Sequence, residues 1–210
     1  MKQDVSKRLY GYWNGLRKGR PAPERNEVEP GDIRDLLGDT FILQASGNDF
    51  RFRLAGTRLC ALYCRELKGQ NFLSMWKESD REAIESLLTA IHHDAAAAVV
   101  GMTGRSDRGN EVPLEIVLLP LSQKDSGFTR ILGACAPTSA PYWVGMHPVM
   151  KQEITSLRMI WPDEVPFFLR TADQAALEPE IEPITTTPRT LRRPAWRQVR
   201  HLTVYEGGRN

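Results

Sequence analysis

The chain has 210 residues, 41% of them apolar and 26% charged, with a net charge of +2. That length fits one domain of ordinary size with tails, or two small ones, and the near balance of charge excludes a molecule that binds nucleic acid over its whole surface. Cys60, Cys64 and Cys135 have no paired spacing, which argues against a disulfide scaffold; the N-terminus "MKQDVSKRLYGYW" has no apolar signal core and no apolar run is long enough to span a bilayer, so a soluble, cytoplasmic protein is expected.

In chain order, Val5, Leu9, Tyr12, Trp13 and Leu16 form one stripe of an amphipathic helix within residues 1–20, which "GRPAPER" ends. The stripe needs a partner surface, either the body of the domain or a second subunit. The acidic "NEVEPGDIRDLLGDT" predicts a short helix after Pro30 that stops at Gly38. "TFILQA" and "FRFRLAG" predict two strands joined by a turn at "SGND", with Phe50, Phe52 and Leu54 facing inward and Arg51 and Arg53 outward. The rhythm then changes at Ala55-Gly56-Thr57. Thr57 is placed to cap a helix whose buried stripe is Leu59, Leu62, Tyr63 and Leu67, with Gly69 as its stop.

"NFLSMW" predicts an apolar loop or short helix, and "SDRE" has the form of a capping box. Ile84, Leu87, Leu88 and Ile91 then give the clearest helical spacing in the chain. After His92-His93 the pattern becomes β: "AAAAVVGMTG", "VPLEIVLLPLS" and "FTRILGACAPT" predict three strands of an antiparallel meander, the middle one partly buried on both faces. "KQEITSLRMIW" is open between strand and short helix. From about residue 171 proline and polar residues dominate, which predicts a flexible tail, while "WRQVRHLTVYEGGRN" regains apolar content.

The order β-β-α-α-α-β-β-β, the small-residue corner and Glu66, Leu67, Gly69 and Phe72 in the spacing Glu-Leu-x-Gly-x-x-Phe together resemble a PAS domain. The chain is similar in particular to a bacterial family of standalone PAS-like proteins, in which "YWNGLR", "PAPER", "RLAGTRLC", "ELKG", "LLPL" and "ILGA" recur in this order, with a similar terminal "HLTVYEGGR". The resemblance covers residues 8 to 160 and implies an α+β fold. Its parts are a five-stranded antiparallel sheet with a helical layer on one face, the N-terminal helix (1–20), the PAS domain (21–160) and a basic, flexible C-terminal segment (161–210).

It also implies a small-molecule cavity between helices and sheet, which Phe41, Phe52, Leu62, Met75, Trp76, Ile84, Leu88 and Leu118 are expected to line. Side chains of this size equally pack as an ordinary core. His92-His93 lies where some PAS domains hold haem, yet histidines also finish helices by favouring the negative dipole end. The flavin photosensor string Gly-x-Asn-Cys-Arg-Phe-Leu-Gln does not occur, and Cys60 and Cys64, at i and i+4, are two ligands where a metal site needs more. No cofactor and no metal is assigned.

Sequence patterns of hydrolases, zinc proteases and phosphate-binding loops do not occur, so a non-catalytic protein is expected. The resemblance implies homodimerisation, with Leu9, Trp13 and Leu16 as contact residues and a regulatory protein as partner. Basic residues crowd both ends, with Arg192, Arg193 and Trp196 in the second group. These fit an acidic partner surface or, as the alternative function, nucleic acid.

Overall fold

The computed structural model describes residues 1–47, 49–124, 127–139, 141–164, 197–199 and 202–204. Two units divide the chain, Met1–Arg170 and Thr171–Asn210. The second contains an antiparallel pair of short strands, Arg197–Val199 and Leu202–Val204. Of the segment expected to be flexible (161–210), residues 161–164 are also described, with Glu164 N donating to Trp161 O at 3.0 Å; the remainder, including Arg192, Arg193 and Trp196, lies outside the described residues.

The first unit is built on β1 (Thr40–Ser46), β2 (Asp49–Ala55), β3 (Ala97–Ser106), β4 (Glu111–Gln123), β5 (Gly127–Pro137) and β6 (Val149–Ile160). They form one antiparallel sheet in the order β2-β1-β5-β4-β3-β6. The five expected strands are present, and β6 adds a sixth beside β3. Its sequence does not announce a strand because most side chains between Met150 and Met159 are exposed, so burial imposes no alternation. The first half of its free edge is engaged: Lys77 N donates to Gln152 O at 3.0 Å, and Ile154 N donates to the Asp80 carboxylate at 2.8 Å.

Both faces of the sheet are covered. Period-two alternation sends Phe41, Leu43, Ile116, Leu118, Ile131 and Cys135 to an inner core beneath α2 (Thr57–Leu62), a 3-10 turn (Phe72–Met75) and α3 (Glu78–Asp94). Ile42, Val117, Leu119, Leu132 and Ala134 go to an outer core beneath α1 (Asp4–Arg17) and the segment that follows it. The sequence asked which partner the α1 stripe has, and the chain's own sheet is the answer. The buried face is Ser6, Leu9, Tyr10, Trp13 and Arg17, turned slightly from the expected stripe so that Val5, Tyr12 and Leu16 are half-buried. Trp13 donates its indole N–H to Pro120 O at 2.7 Å, and the Glu115 carboxylate accepts from the backbone N–H of Lys2 (2.7 Å) and Gln3 (3.0 Å) at the start of α1.

Several local expectations change. Leu54 faces outward and is 54% exposed, because a bulge between Ile42 and Leu43 makes Arg53 an extra residue and resets the alternation. Thr57 is the first helical residue and caps nothing; Gly56 is the N-cap. A Cβ at Gly56 would lie 2.0 Å from Leu37 O, so glycine is needed for close backbone approach and not for an unusual dihedral. Helix α2 ends earlier than Gly69. Cys64 adopts φ 49, and Arg65 N and Cys64 N close back on Cys60 O and Ala61 O, a Schellman end that takes Cys64 off the helix carrying Cys60. "SDRE" forms no capping box: α3 begins at Glu78, and Ser79 Oγ bonds Asp80 instead.

Candidate functional site

The residues expected around a cavity come together. Phe41, Phe52, Leu62, Met75, Trp76, Ile84, Leu88 and Leu118 all belong to the inner core, each 3% exposed or less. Convergence follows from strand alternation on β1, β2 and β4 and from the i, i+4 spacing of Ile84 and Leu88 on α3. Phe41, Phe52 and Phe72 are mutually in contact at 5.5 to 6.0 Å between ring centroids, and Trp76 stands 5.8 Å from Phe72. These rings take up the space between β1, β2 and the 3-10 turn. Gly133 makes room for them, since any Cβ there would lie 2.2 Å from Phe41 Cζ.

One end of this apolar layer is polar. Tyr63, fully buried, donates its hydroxyl proton to Gln152 Oε1 at 2.6 Å, and burial pushes the Tyr63 phenol well above its ordinary range. Burial likewise raises the Cys135 thiol, which lies close enough to act on Tyr63. Trp76 Nε1 and Gln152 Nε2 are buried donors with no partner among the described residues. A cavity of about 220 Å³ is lined by Tyr63, Cys64, Arg65, Pro148, Val149 and Met150. Sequence reasoning missed this cluster because Gln152 sits in the one strand left open, 89 positions from Tyr63.

His92 and His93 finish α3. The His92 ring nitrogen Nδ1 is 3.1 Å from Phe128 O, joining the helix end to β5, and the two imidazoles meet edge to face at 4.6 Å. Cys60 is half-buried, Cys64 exposed and Cys135 buried.

On the outer face, Leu9 and Trp13 are buried against the sheet and Leu16 is half-buried. Much of the N-terminal basic group is engaged within the chain. Arg8 pairs with Asp35, Arg20 with Glu27, and Arg17 stacks 5.4 Å over Trp13 while donating to Pro162 O at 2.7 Å. Beside this covered area lies a second, larger hollow of about 620 Å³, floored by Ile42 and Leu54 and rimmed by basic residues.

The profile of the PAS domain family matches residues 1–136, well over half of the chain, which therefore belongs to that family. Among solved structures the chain is similar to a light-oxygen-voltage domain studied with a flavin analogue: 15% identity over 53% of this chain and 85% of that one, TM-score 0.43. It is also similar to the LOV domain of the blue-light photoreceptor Aureochrome1 in its dark structure (15% identity, 55% of this chain and 86% of that one, TM-score 0.42). A third similar structure is the PAS domain of an HTR-like protein from Haloarcula marismortui (15% identity, 51% and 89%, TM-score 0.39). None of the curated proteins matches the chain. The family is one of sensory signalling modules. Among the described residues, no helix is long and apolar enough to cross a membrane.

Proposed function

We propose that the protein is a non-catalytic sensor and adaptor of bacterial signalling, coupling occupancy of the inner layer to a protein partner on the outer layer. The observation that carries this reading is the two-sided sheet. Phe41 and Leu43 belong to the inner core while Ile42, between them on β1, belongs to the outer one, and β4 and β5 are shared in the same way. A shift of the helical layer therefore moves strands on which α1 rests. The donors of Trp76 and Gln152, without a partner among the described residues, support an inner ligand that offers hydrogen-bond acceptors beside an apolar body. Such a ligand shifts α1 only by binding the two arrangements with different affinity.

The test is native mass spectrometry with an absorption spectrum of the purified chain, before and after mild denaturation. The expected result is a dimer carrying a small molecule that is released on unfolding. A bare monomer that gains no thermal stability from any member of a metabolite library would overturn the reading. For the dimer, Leu16→Asp is the cleaner variant, because Leu9 and Trp13 hold the fold itself. An unchanged mass in solution would remove α1 from the interface.

A further inference from the structure

The 620 Å³ hollow on the outer face collects Arg25, Arg53, Lys68, Lys124 and Arg130 around one carboxylate, Glu24. Among the described residues that line it, five cations stand against one anion. Ion pairs are otherwise plentiful here: Arg8, Arg20, Arg51, Arg58, Lys77, Arg105 and Arg158 each have at least one, but among the described residues none of the five does.

Arg130 shows how the site is built. It is half-buried, and its guanidinium is held by two neutral amides, Gln44 Oε1 at 2.7 Å and Gln123 Oε1 at 3.3 Å. Burial first, then the nearby charges of Arg53 and Arg25, weaken its hold on its proton. The arginine is thus fixed in place without an anion, against repulsion from its own neighbours. The bulge in β2 supplies the rest, by turning Arg53 and Leu54 outward together so that a cation and an exposed apolar surface share the hollow.

We propose that this hollow binds a nucleotide bearing two or more phosphates. The phosphates would lie on Arg53, Arg130 and Arg25, and the base over Leu54 and Ile42. The volume falls within the range of small-molecule sites. Guanidinium groups match phosphate oxygens in paired hydrogen bonds. The cations come from four separated segments and converge on one hollow, which suits a compact multivalent anion; an extended acidic peptide calls for cations in a row. This site is on the sheet face opposite the inner layer and stands or falls independently of the sensing reading.

The test is isothermal titration of the full chain with ATP, GTP, inorganic tripolyphosphate and a poly-glutamate peptide, at low and at physiological salt. One or both nucleotides should bind, more tightly than tripolyphosphate and less tightly at higher salt. Arg53→Gln combined with Arg130→Gln should weaken nucleotide binding at least tenfold without lowering thermal stability, since it removes mutual repulsion. Leu54→Ser should weaken nucleotides and leave tripolyphosphate unchanged. Three outcomes overturn the proposal: no nucleotide binding, binding indifferent to the arginine variants, or tripolyphosphate or the peptide binding as well as the best nucleotide.

Discussion

The ring of Phe41 comes so close to the backbone of Gly133, its registered partner across β1 and β5, that a Cβ at 133 would stand 2.2 Å from Cζ. The inner layer is thus fitted to a ring at one position and to the lack of a side chain at the other. Gly133→Ala should cost about 1–3 kcal/mol by overpacking. Phe41→Leu in the same chain should recover part of that loss, giving a non-additive cycle in urea denaturation. Strict additivity would mean that the two positions do not share the space.

At the strand-to-helix corner, Gly56→Ala forces a methyl group against Leu37 O and Gly38 O, both backbone atoms that cannot rotate away. The expected cost is at the upper end of the overpacking range, about 3 kcal/mol. For a chain of this size that lowers Tm by roughly 6–12 °C. Calorimetry checks it, with Gly69→Ala as a control that meets no atom but strains a φ of +82.

Removing the carboxylate that binds the start of α1, by Glu115→Ala, leaves the Lys2 and Gln3 amides without their acceptor. Loss of such a cap costs about 1 kcal/mol. Its signature is local: amide hydrogen exchange over α1 should quicken several-fold while α3 stays unchanged. Equal change in both helices would show that α1 is not a separable unit.

Alkali should destabilise the fold in two stages. The buried Cys135 thiol and Tyr63 phenol both have pKa values raised above their unfolded ones. The folded state keeps their protons after the unfolded state has lost them. Stability is therefore full below the unfolded values, about 8.5 for the thiol and 10 for the phenol, and falls as pH rises through them. Urea midpoints measured from pH 7 to 11 should decline from about pH 8.5 and more steeply above 10. Tyr63→Phe should reduce only the second decline, while costing about 1–3 kcal/mol at neutral pH through the unpaired Gln152 oxygen.

Five strands and the long helix were legible because the strands are apolar runs, most of them buried on both faces, and the helix buries one regularly spaced stripe; Phe41, Leu118 and Ile84 converge where strand alternation and helical spacing send them. Illegibility has equally physical sources. Strand β6 is too exposed for burial to pattern it. One inserted residue, Arg53, reverses the side on which Leu54 emerges, and no spacing rule marks that position. The α1 face turned because Tyr10 and Tyr12 are both apolar enough for either to be buried. Tyr63 with Gln152, and the cations from Arg25 to Arg130, are far apart in the chain and meet only through the fold.

The guarded edge of β6 carries a consequence for how the molecule behaves in a crowded cell. A sheet that ends in a bare strand invites copies of itself to stack on as further strands. Here Lys77 and Asp80 occupy the first half of that edge, and Lys151, Glu153 and Arg158 place charges along it. The domain can present its broad faces to other molecules while resisting growth into fibrils from its rim.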